Sequence, residues 1–278
     1  TPVTSLDDAG ANDKFYILSN RGQSYVKGSY GHYGNQMAYE LLKLGFSILY
    51  KRIDAISDLN DVATWADLDD TGTYDFRYVV TGLRDNNTSA NIQISTLART
   101  RTDCTALLDI DERAYTTSIN SYTSTALAKA ITAEVNKIVS DTYTPFFGPS
   151  LKLGVEQLKV YNDNQVLPCS LFYLSCAISA LRNNYPEYYA VAGYLRGIGS
   201  LSIISPVIKI GENLNNLLSP RVPTTIDTST SVTKAVNLVT KVKNNYYLWG
   251  NRTGETLTEN GLVAKHFLNI RQLCTTLK

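Results

Sequence analysis

Tyr246-Tyr247-Leu248-Trp249-Gly250-Asn251-Arg252-Thr253, near the end of the chain, sets an aromatic and aliphatic run against a glycine stop. Bulky residues of this kind fit a pleated, half-buried surface, so the run reads as a strand that ends at Gly250, with Arg252 in the turn. Beyond it, Leu262, Val263, Phe267, Ile270, Leu273 and Leu277 recur at the one-sided spacing of a helix packed on a sheet. That helix also carries Arg271. Trp249 is expected to be buried where strand and helix meet. On the upstream side, Val236, Val239 and Val242 predict a helix over Val232 to Lys243.

Further upstream the signals alternate between strand and helix. Phe15 to Ser19 reads as a strand. A helix follows from Asn35 to Leu44 and stops at Gly45, and Phe46 to Ile53 reads as the next strand. The acidic, polar segment Asp54 to Thr73 reads as a loop. Tyr74 to Gly82, expected to be buried on both faces, and Cys104 to Ile110 read as buried strands, with a helix ending near Arg101 between them. The strongest helix signal runs from Ser124 to Ser140, with Leu127, Ile131, Val135, Ile138 and Val139 as its buried stripe. Another helix begins at Leu167-Pro168-Cys169-Ser170, where proline suits a first turn, and continues to Leu181. Strand, helix and strand in this rhythm predict βαβ units, an α/β class and a mostly parallel sheet.

Several of these segments, taken in order, resemble contractile tail sheath proteins of myovirus-type phages. The resemblance rests on the helix ending in Gly45 before a basic-ended strand, and on Tyr143-Thr144-Pro145-Phe146-Phe147 after the long helix. It rests further on Ala192-Gly193-Tyr194-Leu195-Arg196, on Trp249-Gly250 with Arg252-Thr253, and on Asn269-Ile270-Arg271. Together they cover Phe15 to Leu277. Ser200 to Pro206 departs from the family, which carries a Trp-Lys-Ala-Pro-like stretch there. The resemblance implies a subtilisin-like α/β domain over residues 1–205 and a smaller α+β C-terminal domain over 206–278. It also implies a structural, non-enzymatic subunit of a virion tail, made in the host cytoplasm, without cofactor. Such a subunit polymerises helically with other sheath subunits around a tail tube protein and contracts to drive the tube through the host envelope. In the family, terminal arms add strands to a neighbour's sheet; those arms would lie before Thr1 and after Lys278, so the chain is expected to be a fragment. Candidate intersubunit or tube-facing contacts are Arg252, Arg271, Tyr188 and Tyr189.

Composition is compatible with this reading and excludes others. Lys+Arg at 26 against Asp+Glu at 25 gives a formal net charge of +1, which points away from nucleic-acid and membrane-surface binding. The longest apolar run, Leu201 to Ile210, is interrupted by serines, Pro206 and Lys209, so no membrane insertion is expected. Cys104, Cys169, Cys176 and Cys274 form no Cys-x-x-Cys pair and lie far from His32 and His266. They predict buried thiols in a reducing compartment rather than a disulfide framework or a zinc site. Nineteen tyrosines, many clustered, supply the large, stiff contact area that subunit interfaces use.

The sharpest enzymatic signal is Asp109-Ile110-Asp111 at the end of an apolar strand. Alternate strand residues share a face, so both carboxylates could hold one Mg²⁺ beyond the carboxyl edge of a parallel sheet. The alternative function is therefore a Mg-dependent hydrolase using Asp109 and Asp111. Against it, no further acidic pair follows Glu112. No serine stands in a Gly-x-Ser-x-Gly elbow to join either histidine. Gly193-x-x-x-Gly197-x-Gly199 lacks the Lys-Ser/Thr end of a phosphate loop and reads as backbone turning.

Overall fold

The computed structural model describes residues 15–19, 33–51, 56–81, 88–110, 123–139, 141, 143–153, 166–186, 189–201, 203–219 and 234–255. In chain order the elements are β1 (Phe15–Leu18), α1 (Tyr33–Leu44), β2 (Ile48–Lys51), α2 (Val62–Ala66), β3 (Tyr78–Val79) and α3 (Thr88–Arg101). There follow β4 (Thr105–Ala106), β5 (Leu108–Asp109), α4 (Ser124–Val135), β6 (Phe146–Gly148), β7 (Leu151–Leu153) and β8 (Val166–Leu167). The last are α5 (Cys169–Arg182), α6 (Gly193–Arg196), β9 (Ile203–Pro206), α7 (Glu212–Leu218), β10 (Val236–Val242) and β11 (Asn245–Trp249).

The main sheet is mostly parallel. β5 pairs with β6 and β6 with β10, all parallel, while β11 returns antiparallel on β10. β4 and β5 are two halves of one extended run that faces a different neighbour on each side. Thr105 and Leu107 donate to Arg77 and Val79; Ala106, Leu108 and Ile110 donate to Tyr143, Pro145 and Phe147. With β3 parallel to β4, the strand sequence across the molecule is β11, β10, β6, β4/β5, β3. β7 pairs with β8 and β9, and β1 with β2, in small antiparallel sheets.

Helices cover both faces. On one side Ile94 and Leu97 of α3, Ile131 and Val135 of α4, and Leu214 and Leu218 of α7 pack with Leu108, Phe146, Val236 and Leu238. On the other, Met37 and Leu41 of α1 and Leu171 and Phe172 of α5 pack with Leu107, Phe147, Val239 and Leu248. Strands buried on both faces have to be apolar almost without interruption, which explains the runs at residues 104–110 and 236–239. The α/β class, the mostly parallel sheet and its flanking helices agree with the sequence reading.

Four expectations are corrected. Residues 236–242 form a strand, β10, where the valine spacing predicts a helix. β-Branched residues favour the pleated strand, and Asn237 and Leu238 between the valines are equally buried, which no one-sided helix allows. The acidic segment 54–73 holds α2 and two 3₁₀ turns, Ile56–Asn60 and Asp67–Asp69. Asp61 caps α2 by accepting from Ala63 N at 3.0 Å. In α4 the helix ends at Val135, and Val139 is 51% exposed while the rest of the stripe is buried. Within 74–81 only Tyr78–Val79 is strand, and of these residues Val79 alone is buried, because β3 stands at the end of the strand sequence rather than inside it. The helix expected at Leu262 to Leu277, with Arg271, lies outside the described residues.

Candidate contact surface and the Asp109 strand end

Asp109 stands at the carboxyl end of β5 and faces the start of α5. Pro168 is the residue before that helix and has no side-chain acceptor for the free amides. Asp109 supplies it from another strand, accepting from Ser170 N at 2.8 Å and from the Ser170 hydroxyl. A carboxylate at a helix start also meets the positive end of the helix dipole. The aspartate expected to hold Mg²⁺ in the alternative reading is thereby engaged as a long-range helix cap. Asp111 lies outside the described residues, and among those described no three His, Cys, Asp or Glu side chains converge on a metal position.

The Trp249–Thr253 turn is organised by a buried residue that sequence reading overlooked. Asn237, fully buried in β10, donates through Nδ2 to Phe146 O at 3.1 Å and Arg252 O at 2.9 Å. Its Oδ1 accepts from Arg252 N at 2.9 Å. Gly250 adopts φ +109°, and a Cβ there would stand 2.8 Å from that same Oδ1. Arg252, expected at a subunit contact, is only 4% exposed within this chain, and burial pushes its guanidinium pKa down. Trp249 is half-buried rather than buried, its ring edge-on to Tyr194 at 5.5 Å between centroids.

The exposed aromatic surface lies around α6. Of the candidate contacts, Tyr189 is described and 39% exposed, while Tyr188 and Arg271 lie outside the described residues. The Arg196 guanidinium sits 4.9 Å from the Tyr189 ring centre and 5.6 Å from that of Tyr185, and its Nε donates to Ala190 O at 2.8 Å. Next to it, Tyr194 is 56%, Leu195 76% and Ile198 44% exposed. The three glycines read as a weak phosphate-loop echo instead drape this segment over the edge of β11. Gly193 adopts φ +74°, Gly197 O accepts from Leu248 N at 2.7 Å, and a Cβ on Gly199 would meet Ser175 Oγ at 2.0 Å. Gly197 and Gly199 have no room for a Cβ, so the backbone there seats against its neighbours while Leu195 and Ile198 beside them project outward.

No protein-family model matches this sequence, and no curated protein matches it. Three of the solved chains that share this fold come from contractile injection machines. One belongs to the sheath complex of an extracellular contractile injection system, PVC, in its contracted state: 12% identity, TM-score 0.63, covering 99% of this chain and 64% of that one. Another comes from the contracted baseplate of the anti-feeding prophage: 14% identity, TM-score 0.61, covering 100% of this chain and 67% of that one. A third comes from the six-fold symmetrised baseplate of the same particle: 12% identity, TM-score 0.54, covering 87% of this chain and 54% of that one. The chain thus spans between about half and two thirds of the proteins whose fold it shares.

Proposed function

We propose that this chain is the folded body of a contractile sheath subunit in a phage tail or tail-like injection particle. In this reading copies polymerise helically around an inner tube, and the lattice contracts to drive the tube through the target envelope. The observation that carries it is the fold shared over nearly the whole chain with a sheath complex of a contractile injection system. The ordered sequence resemblance from Phe15 to Leu277 supports it independently. Its partners are other sheath subunits and the tube protein, with no nucleic acid and no membrane insertion; among the described residues no helix is long and apolar enough to cross a membrane.

The role is mechanical rather than enzymatic, and Asp109 serving as a helix cap is consistent with that. We read the three-layer arrangement as the family's subtilisin-like domain. The division expected at residues 205 and 206 crosses paired strands, since β9 joins β7 and β10 joins β6. We therefore read β9, α7, β10 and β11 as part of the same folded body as β6 and β7. Electron microscopy of the full-length protein, terminal arms included, expressed alone tests the function: hollow, helically ordered tubes are expected, and uniformly dispersed single particles at every concentration and salt would defeat it.

A further inference from the structure

The two ends of the main sheet carry opposite chemistry. At the β11 end, α6 presents Tyr189, Tyr194, Leu195 and Ile198 as an exposed apolar ridge. Among the described residues its charged neighbours are basic: Arg196 within it, and Lys241 and Lys243, exposed, on the β10–β11 hairpin; Glu187, two positions before Tyr189 in the sequence, lies outside the described residues. Residues 189–201 and 236–249 contain no aspartate or glutamate. An apolar patch rimmed by one sign of charge marks an interaction site rather than ordinary surface.

At the β3 end the sign is reversed. Between Arg52 and Arg77 the sequence carries aspartates at 54, 58, 61, 67, 69, 70 and 75 and no lysine or arginine. The chain's net charge is only +1, so the remainder is correspondingly basic. From Ile56 on, this segment forms α2 and its flanking turns, which are pinned to the body from two sides: Arg101 donates to Leu68 O and Tyr74 O, and Lys51 to Thr64 O. Asp61, Asp67, Asp69 and Asp70 are exposed, and among them Val62 is 64% exposed, an apolar point inside an acidic rim.

We propose that the ridge around α6 docks on the acidic α2 segment of a second copy of this chain. The inference rests on the reading of the chain as a polymer subunit and names the two surfaces that meet. Charge complementarity argues for the pairing, because opposed potentials steer encounter and fix register, whereas ridge on ridge or α2 on α2 juxtaposes like charges. Because the surfaces differ and lie at opposite ends of one sheet, the contact is head-to-tail. Such a contact leaves a free ridge and a free acidic segment after each addition and closes into rings or continues as a helix. Four ridge side chains fall short of the ~800 Å² per partner of a stable isolated complex. Each contact is therefore weak alone and effective when repeated along a lattice.

The test uses two variants of the whole chain, each defective in one surface: Leu195→Asp in the ridge, and Asp67→Lys with Asp69→Lys in the acidic segment. All three altered positions are exposed, and circular dichroism and unfolding of each variant confirm the fold first. In sedimentation velocity over a concentration series, the unaltered chain is expected to form open-ended oligomers that weaken as salt is raised. Each variant alone should stay monomeric. At the top of the concentration series, where a single weak contact is populated, an equimolar mixture should give a one-to-one heterodimer and nothing larger, because it contains one intact ridge and one intact acidic segment that can meet. Oligomers of either variant alone, a mixture that stays monomeric, or no association of the unaltered chain overturns the proposal. Tubes formed normally by Leu195→Asp in electron microscopy would sink this contact while leaving the sheath reading standing; a clean heterodimer without tubes from the unaltered chain would do the reverse.

Discussion

Asn237 shows how much of the fold can hang on one polar side chain. Its amide satisfies two buried carbonyls and one buried amide, joining β10 to β6 and to the Arg252 turn. Replacement by leucine keeps the volume but strands those groups, and each unsatisfied buried group costs about 1–3 kcal/mol. Asn237→Leu is expected to destabilise by roughly 3 kcal/mol or more in urea unfolding, beyond the ordinary range of point mutations. A loss below about 1 kcal/mol would mean that the turn is held by other contacts. Asp109→Asn tests a second residue: losing the charged cap of α5 should cost about 1–2 kcal/mol. Titration calorimetry of the unaltered chain with Mg²⁺ should show no saturable heat; one that Asp109→Asn removes would restore the hydrolase reading. The end of β5 was legible in the sequence as an apolar run closing on aspartate. Its partner was not, because Ser170 is 61 residues away and nothing local marks it.

At the scale of elements, α5 is the helix against which the ridge segment and the sheet both pack. Gly199 lies against Ser175, so Gly199→Ala forces an overlap with its hydroxyl. Overpacking of this kind costs about 1–3 kcal/mol, and Ser175→Ala should recover most of it, a coupling that a double-mutant cycle reads directly. The same helix makes the chain sensitive to alkali. Cys169, Tyr173 and Cys176 are buried, and burial pushes all three pKa values up. A folded-state pKa above the unfolded one means that the unfolded chain releases its proton first, so stability is complete below the unfolded pKa and falls as pH rises past it. The thiols should begin this loss near pH 9 and Tyr173 near pH 10, each by at most about 1.4 kcal/mol per pH unit. Urea midpoints measured at pH 8 and 10 should differ less for Cys176→Ala than for the unaltered chain. The sequence revealed α5 through Pro168 and a long apolar run, and α1 through its Gly45 stop. It misled at β10, where valines three apart imitate one helical face and only the sheet shows both sides buried.

For the whole molecule, chain order and spatial order diverge in a way that decides how it folds. β10 arrives late in the sequence yet lies inside the sheet, between β6 and β11, and contributes Val236 and Leu238 to one core and Val239 to the other. A sequence boundary near residue 205 was easy to draw, because Ser200 to Pro206 breaks the motif pattern and a loop-rich stretch follows. The pairing of β10 with β6 could not be seen there, since Val236 and Phe146 meet across a separation set only by the parallel crossover. Removing residues 206–278 would unpair the edge of β6, open both cores, and expose apolar faces of α4 and α5 together. A chain cut at residue 205 is therefore expected to be insoluble or to lack a cooperative transition. The intact chain should unfold in one step, with tryptophan fluorescence and far-ultraviolet circular dichroism coinciding, because Trp65 sits by β3 and Trp249 on β11 and both report on the same sheet. Two separated transitions, or a soluble 1–205 chain with a sharp unfolding curve, would show that the parts fold independently and that β10 is an addition to a finished domain rather than its interior.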